Sequence, residues 1–298
     1  MNRVLLCVCW VVITGGLGCE NSGGAANTED SSNAVGDATT GDIVANEPGT
    51  PTDSILTFVM LGDSLTEGIG DTEWTEEGVL QGYPGRLRNR LIARGADVVL
   101  TNLGKSGWTS TDMTDGIDWG DGMPQPSQLQ TALPLIQDAT AKGRQAVACV
   151  WIGSNDLFGL YGWCHEPDNE ACEADNLAVY EQKLGATLTA LDDAGATVVV
   201  ALLDDQSKRP VVADPAYDDV LPGLDEAAAK LMSAQVVRYN EAITNLAAAH
   251  GAHLVNFYDT NLFESKALLD ADGIHPNAAG YEQITTAWEK VIDMALGL

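Results

Sequence analysis

Residues 55–68 read ILTFVMLGDSLTEG. Ile55 to Leu61 form an apolar run interrupted only by Thr57, and Gly62, Asp63 and Ser64 end it. A run of that length, closed by a glycine turn, reads as a strand buried on both faces. Four more such runs follow at 97–103 (DVVLTNL), 146–152 (AVACVWI), 196–203 (ATVVVALL) and 253–257 (HLVNF). Stretches with helical spacing lie after each, at 83–93, 127–142, 174–194, 226–249 and 277–296, the first of them between the first two runs. Alternation of this kind specifies an α/β protein with a central parallel sheet of about five strands and helices on both faces. Sheets of this class place their sites in the loops beyond the carboxyl ends of the strands. No internal repeat is apparent.

The 298 residues carry 43 Asp+Glu against 15 Lys+Arg, a net charge of −28. Most of it belongs to 53–298, where 14 basic residues face 37 acidic ones for a net −23. Such a polyanion repels nucleic acid and gains nothing from anionic lipid surfaces. Hydrophobic residues at 45% are too many for a disordered chain. What remains is an enzyme or binding protein for neutral or cationic small molecules.

Residues 1–19, MNRVLLCVCWVVITGGLGC, place Arg3 before an apolar run from Val4 to Ile13, then small residues before Cys19. This is a secretory signal peptide, too short for a comfortable membrane span. Its Leu-Gly-Cys ending resembles the lipobox of bacterial lipoproteins, with Cys19 as the lipidated residue and Gly16 where leucine is usual. The expectation is an exported protein: a cell-envelope lipoprotein, or otherwise a secreted or periplasmic one, touching membrane only through that anchor. Residues 20–52 are rich in Gly, Ser, Asn, Thr and Asp without aromatics, and read as a flexible linker before a catalytic domain at 53–298. Cys149 lies in an apolar run and reads as a core thiol. Cys164 and Cys172 bracket CHEPDNEAC, most simply a local disulfide in an exported protein. Zinc has no CxxC or spaced His pair to support it. The acids Asp115, Asp118 and Asp121 read as a solvated loop, without the spacing of a calcium hand.

Polar motifs follow four of the five runs. Ser64 stands just after the first strand, as a nucleophile would, although taken alone a helix cap explains it better. Its setting is not the GxSxG elbow of ordinary α/β-hydrolases. Asn102 to Trp108 (NLGKSGW) can aim backbone N–H groups into a site. Asn155, in GSND, can donate to a developing oxyanion or cap a helix. Asp272 and His275, in DGIHP, can pair as orienter and base, or simply precede a helix with Pro276 in its first turn.

Together, in the order Ser, Gly, Asn, Asp-His, these blocks resemble the SGNH/GDSL hydrolase family over about residues 55–296. The resemblance implies a flavodoxin-like three-layer α/β/α sandwich. It implies Ser64 as nucleophile, His275 as general base, Asp272 as its orienter, and an oxyanion hole from Ser64 N–H, Gly107 N–H and the Asn155 side chain. Gly107 is preferred to Gly104 because the family's second block closes an Asn-x-x-x-x-Gly run, here Asn102 to Gly107. Trp108 departs from the small polar or acidic residue common after that glycine. The implied activity is hydrolysis of carboxylic esters through an acyl-enzyme, of the esterase, lysophospholipase or thioesterase kind, with no metal or cofactor. A carbohydrate O-acetyl esterase is the alternative, and a non-catalytic binding module on the same fold is the alternative of another class. Trp108, Trp119, Phe158, Tyr161 and Trp163 lie in loops where they could stack on sugars or line an acyl groove. Residues 204–229 are expected to overhang the site.

Overall fold

Five parallel strands, β1 (Ile55–Gly62), β2 (Asp97–Asn102), β3 (Gln145–Trp151), β4 (Thr197–Ala201) and β5 (His253–Val255), pair in the order β2-β1-β3-β4-β5. The computed structural model describes residues 55–298 apart from 77, 119, 121–122, 164–169, 218–219 and 222–223. The expected signal peptide and linker, with Cys19, lie outside these residues, as do Cys164, His165, Trp119 and Asp121. Interior strands β1 and β3 are buried along almost their whole length, whereas the edge strand β2 alternates, with Val99 exposed. This is the flavodoxin-like order, in which the chain leaves β1 towards one edge and returns to β3 on its other side. The crevice between the carboxyl ends of β1 and β3 is therefore the switch point at which such sheets bind ligands.

Nine helices occur among the described residues: α1 (Ser64–Glu67), α2 (Gly82–Ala93), α3 (Ser110–Asp115), α4 (Gln128–Ala141), α5 (Ser154–Phe158), α6 (Glu170–Asp193), α7 (Pro210–Ala213), α8 (Glu226–Ala249) and α9 (Ala278–Leu296). Right-handed crossovers send α2 to one face and α4, α6 and α8 to the other, because β1–β2 runs along the sheet in the opposite sense to the later connections. The helix α9 packs beside α2, and α6 beside α8. Side-chain caps start several helices: Ser127 on α4, Asp225 on α8 and Asn277 on α9 each accept a backbone N–H. The sequence boundaries hold to within about four residues. Strand β4 stops at Ala201, short of the expected 203, because Asn240 takes over at Leu203. Its Oδ1 accepts Leu203 N–H and its Nδ2 donates to Leu203 O, both at 2.8 Å. A side-chain amide there replaces the next rung of the ladder.

Between the sheet and the α2/α9 layer lies an aromatic cluster. Tyr83 stacks on Trp288 with ring centroids 5.1 Å apart, and Trp151 stacks on Phe257 at 4.4 Å. Outside it, Arg86, Arg90 and Arg94 on successive turns of α2 reach Glu282, Glu289 and Asp293 on α9. The buried Arg86 also pairs with the fully buried Asp71. The outer bridges are partly exposed to solvent and each contributes little; the rings hold the layer. Trp288→Ala is expected to lower the unfolding free energy by roughly 3–5 kcal/mol, measured by urea titration. A loss under about 1 kcal/mol would show that the cluster is not the anchor.

Candidate active site

The site begins at Gly62, the last residue of β1. A Cβ there would lie 2.2 Å from Thr66 Oγ1 and 2.3 Å from Trp151 O, so only glycine fits. Its N–H donates to Gln128 Oε1 and its O accepts from Gln128 Nε2, both at 2.8 Å. The strand thus ends against a buried amide, and the chain turns at once into α1. Asp63 caps α1 by accepting Leu65 N–H at 3.0 Å, and Ser64 becomes its first residue. As the first helical residue, Ser64 has a backbone N–H without an intrahelical acceptor.

Asp272 and His275 come to Ser64 from the loop before α9. Asp272 Oδ1 accepts Ile274 N–H at 2.8 Å and His275 N–H at 2.9 Å, which folds the loop back on itself. His275 Nδ1 then meets Asp272 Oδ2 at 2.5 Å, and Nε2 lies 2.8 Å from Ser64 Oγ across 211 residues of chain. A carboxylate only accepts, so Nδ1 carries the proton, and Nε2 is left to accept from the serine hydroxyl. Burial raises the Asp272 pKa, but the bonds from the His275 ring, His275 N–H and Ile274 N–H outweigh it and hold the carboxyl below its ordinary value.

The second and third blocks face this chain of bonds. Asn102 donates to Thr66 O at 2.8 Å and accepts Gly104 N–H at 3.0 Å. Gly104 N–H is thereby engaged, whereas Gly107 N–H meets no acceptor among the described residues. Trp108 N–H returns to Lys105 O at 3.2 Å, with Gly107 at φ +80° in third position. That is the signature of a type II turn, whose middle peptide faces the opposite way in a type I turn. Asn155 Nδ2 donates to Trp108 O at 2.8 Å, which fixes the amide plane and leaves its second hydrogen free.

Several supporting residues were not legible in sequence. Asp156 accepts both the N–H of Ser110 at 3.0 Å and its hydroxyl at 2.5 Å, tying the third block to the start of α3. Buried Arg209 forks onto Asp204 at 2.7 and 2.8 Å and lies over the ring of Phe263. Two residues on, Val211 N–H donates to Gly273 O at 3.2 Å. The first part of the 204–229 segment therefore braces the Asp272–His275 loop from beside it. The only sequence signals were a carboxylate directly after Asn155 and a lone arginine in an acidic stretch.

The aromatic expectation needs correction. Trp108, Phe158 and Tyr161 are buried, and Tyr161 OH is spent on Glu173 at 2.5 Å. Their rings pack within the protein and offer no face to a sugar or acyl chain. Cys149 is a buried core thiol that burial keeps protonated, and Cys172 is exposed near the start of α6, its expected partner Cys164 lying outside the described residues. Asp115 is paired with Lys183, and Asp118 accepts Gly120 N–H.

Two acids next to the site are strongly perturbed. Burial raises both Asp63 and Asp156 to about 6, despite the N–H of Leu65 at the first and the two Ser110 donors at the second. Unfolded, each would ionise near its ordinary 3.8. Between those values the folded chain holds the extra protons, so stability falls as pH rises from about 4 to 6. Asp156→Asn removes one of these groups. The melting temperature of the variant minus that of wild type is expected to increase from about pH 4 to pH 7 in thermal melts. A difference independent of pH would refute the shifted ionisation.

A family model for the GDSL-like Lipase/Acylhydrolase family matches residues 60–283. A search of curated proteins gave no match. Among solved structures, the psychrotrophic esterase EstA from Pseudoalteromonas sp. is similar at 20% identity and TM-score 0.50, covering 81% of this chain and 99% of its own. LAE5, an alpha/beta hydrolase enzyme from the metagenome of Lake Arreo, Spain, is 21% identical at TM-score 0.54, with 83% and 96% covered. Axe2, an acetylxylan esterase from Geobacillus stearothermophilus, is 17% identical at TM-score 0.51, with 81% and 94% covered. At such identities the likeness is one of fold, and it agrees with the sheet order described above. With three quarters of its length matched by the family model, the chain belongs to the GDSL-like lipase/acylhydrolase family and is an ester-hydrolysing enzyme.

Proposed function

We propose that Ser64 is the nucleophile of this enzyme, His275 its general base and Asp272 the orienter of that base. One observation carries the reading: an unbroken bond chain from Asp272 Oδ2 through the imidazole to Ser64 Oγ, at 2.5 and 2.8 Å. As Oγ bonds to the ester carbonyl carbon, its proton passes to His275 Nε2 and the carbonyl π electrons move to oxygen. The resulting oxyanion is held by Ser64 N–H, Gly107 N–H and the free hydrogen of the Asn155 amide. Collapse breaks the bond to the alkoxy oxygen, which takes the proton from His275 and leaves as the alcohol. Water then gives a proton to His275, attacks the acyl-serine and releases the acid, while the proton returns to Ser64.

The acidity of the domain, net −23 over 53–298, favours neutral or cationic esters, since an anionic substrate would meet repulsion on approach. With three of the loop aromatics buried, the ring-stacking argument for a carbohydrate or long acyl substrate loses most of its support. The export reading carries forward as a proposal on the sequence alone, with Cys19 as the lipid-bearing residue and a Cys164–Cys172 bridge.

Ser64→Ala and His275→Ala are each expected to lower kcat by at least ~10³ on p-nitrophenyl esters. A fluorophosphonate should label wild type and leave Ser64→Ala unlabelled. Near-normal turnover in either variant would remove the assignment. For Gly107→Ala the expected loss in kcat is about 10²-fold. A Cβ at 107 meets no atom within 4 Å, so the loss would come from the strained φ turning the peptide over, not from a clash. An alanine variant with full kcat would show that this N–H does not serve the oxyanion.

A further inference from the structure

Glu67 is the last residue of α1, one turn beyond Ser64. Its Oε2 accepts the N–H of Ser106 at 2.6 Å. Ser106 directly precedes Gly107 and sits inside the turn from Lys105 to Trp108 that decides where the Gly107 N–H points. Besides a bond from Lys105 Nζ to Gln125 Oε1 at 2.9 Å, the turn has two other backbone anchors. Lys105 N–H donates to Gly62 O at 3.1 Å, and Trp108 O accepts from Asn155 at 2.8 Å. Each of these ties it to a strand end or to the third block. Glu67 alone ties it to the helix that carries Ser64.

The approach is close along the whole stretch. A Cβ on Gly104 would lie 2.4 Å from Glu67 N, so the second-block loop lies directly against α1. The carboxylate is half-buried, with Lys105 as a cation that acts on it, and a hydrogen bond to a charged acceptor there is stronger than a neutral one.

We propose that Glu67 is a positioning residue: by holding Ser106 it keeps the Gly107 N–H in register with Ser64, so that nucleophile and oxyanion donor move as one body. The proposal rests on the serine-esterase reading above. It acts through an acceptor atom, not through the charge, and the two are separable by substitution. Glutamine keeps an oxygen where Ser106 N–H needs one, and alanine removes it.

The test is steady-state hydrolysis of p-nitrophenyl butyrate, with inhibition by an alkyl boronic acid that forms a tetrahedral adduct on serine. Glu67→Ala is expected to lower kcat at least about tenfold while KM moves less than about threefold, since oxyanion contacts are made chiefly in the transition state. The boronic acid should weaken by a similar factor. Glu67→Gln should recover most of both losses. Glu67→Ala with kcat within about twofold of wild type overturns the proposal, and so does Glu67→Gln as impaired as Glu67→Ala, which would assign the effect to charge. Wild type that is folded yet inert to both the ester and a fluorophosphonate would overturn the esterase reading itself, a result distinct from an active wild type indifferent to position 67.

Discussion

No side chain can exist at position 62, and the whole upper edge of the sheet is arranged around that fact. The carboxyl end of β1 runs so close to Trp151 O and Thr66 that hydrogen is the only substituent accommodated. Its backbone N–H and O, which lie beyond the last rungs of the ladder, are taken by the Gln128 amide, with Lys105 N–H also on the O. The chain can then turn within two residues and present Ser64 at the crevice between β1 and β3. Every other functional group is placed relative to this point: the second block rests on α1, the third block on the second, and the Asp272–His275 loop on Ser64.

The groups that do chemistry are few, and those that hold them are many and mostly buried. Asp156 fixes α3, Arg209 and Asp204 support the segment bonded to Gly273, and Asn240 closes β4. Buried charge is costly unless it is met by a partner with good geometry. Asp204 and Arg209 meet that condition with a two-bond fork. Asp63 and Asp156 meet it only in part, and their raised pKa values reflect the residue of the cost. Electrostatic strain is thus stored beside the site, as in many sites built for reaction and not for maximal stability.

The sheet was legible because interior parallel strands bury both faces and so appear as continuous apolar runs. Strand β1 is the clearest case, and its end at Gly62-Asp63-Ser64 was readable for the same reason. The edge strand β2 was readable as a strand but not as an edge, since DVVLTN carries no mark of which neighbour it lacks. Ser64 and Asn155 stood out as polar residues directly after such runs, and Asp272 and His275 as a pair just before the helical stretch at 277–296. Gln128, Asp156 and Arg209 did not, because their meaning lies in partners 66, 46 and 5 residues away that the sequence does not mark as partners. The loop aromatics failed for the opposite reason. Position in a loop suggested exposure, whereas Trp108 and Tyr161 are drawn inward by packing that only the folded chain defines.

His275 sits on the threshold of α9, and α9 is the final helix, seated on α2 by the Tyr83–Trp288 stack and the arginine ladder. A chain emerging from its N-terminus therefore presents Ser64 long before it possesses His275, the base proposed for it. Joining His275 to Ser64 closes a loop of 211 residues, among the longest in the described chain, at an entropic cost that grows only slowly with that length. On the proposed roles, a chain whose α9 has not yet docked lacks the base for Ser64, and ester bonds around it are spared until that helix is home.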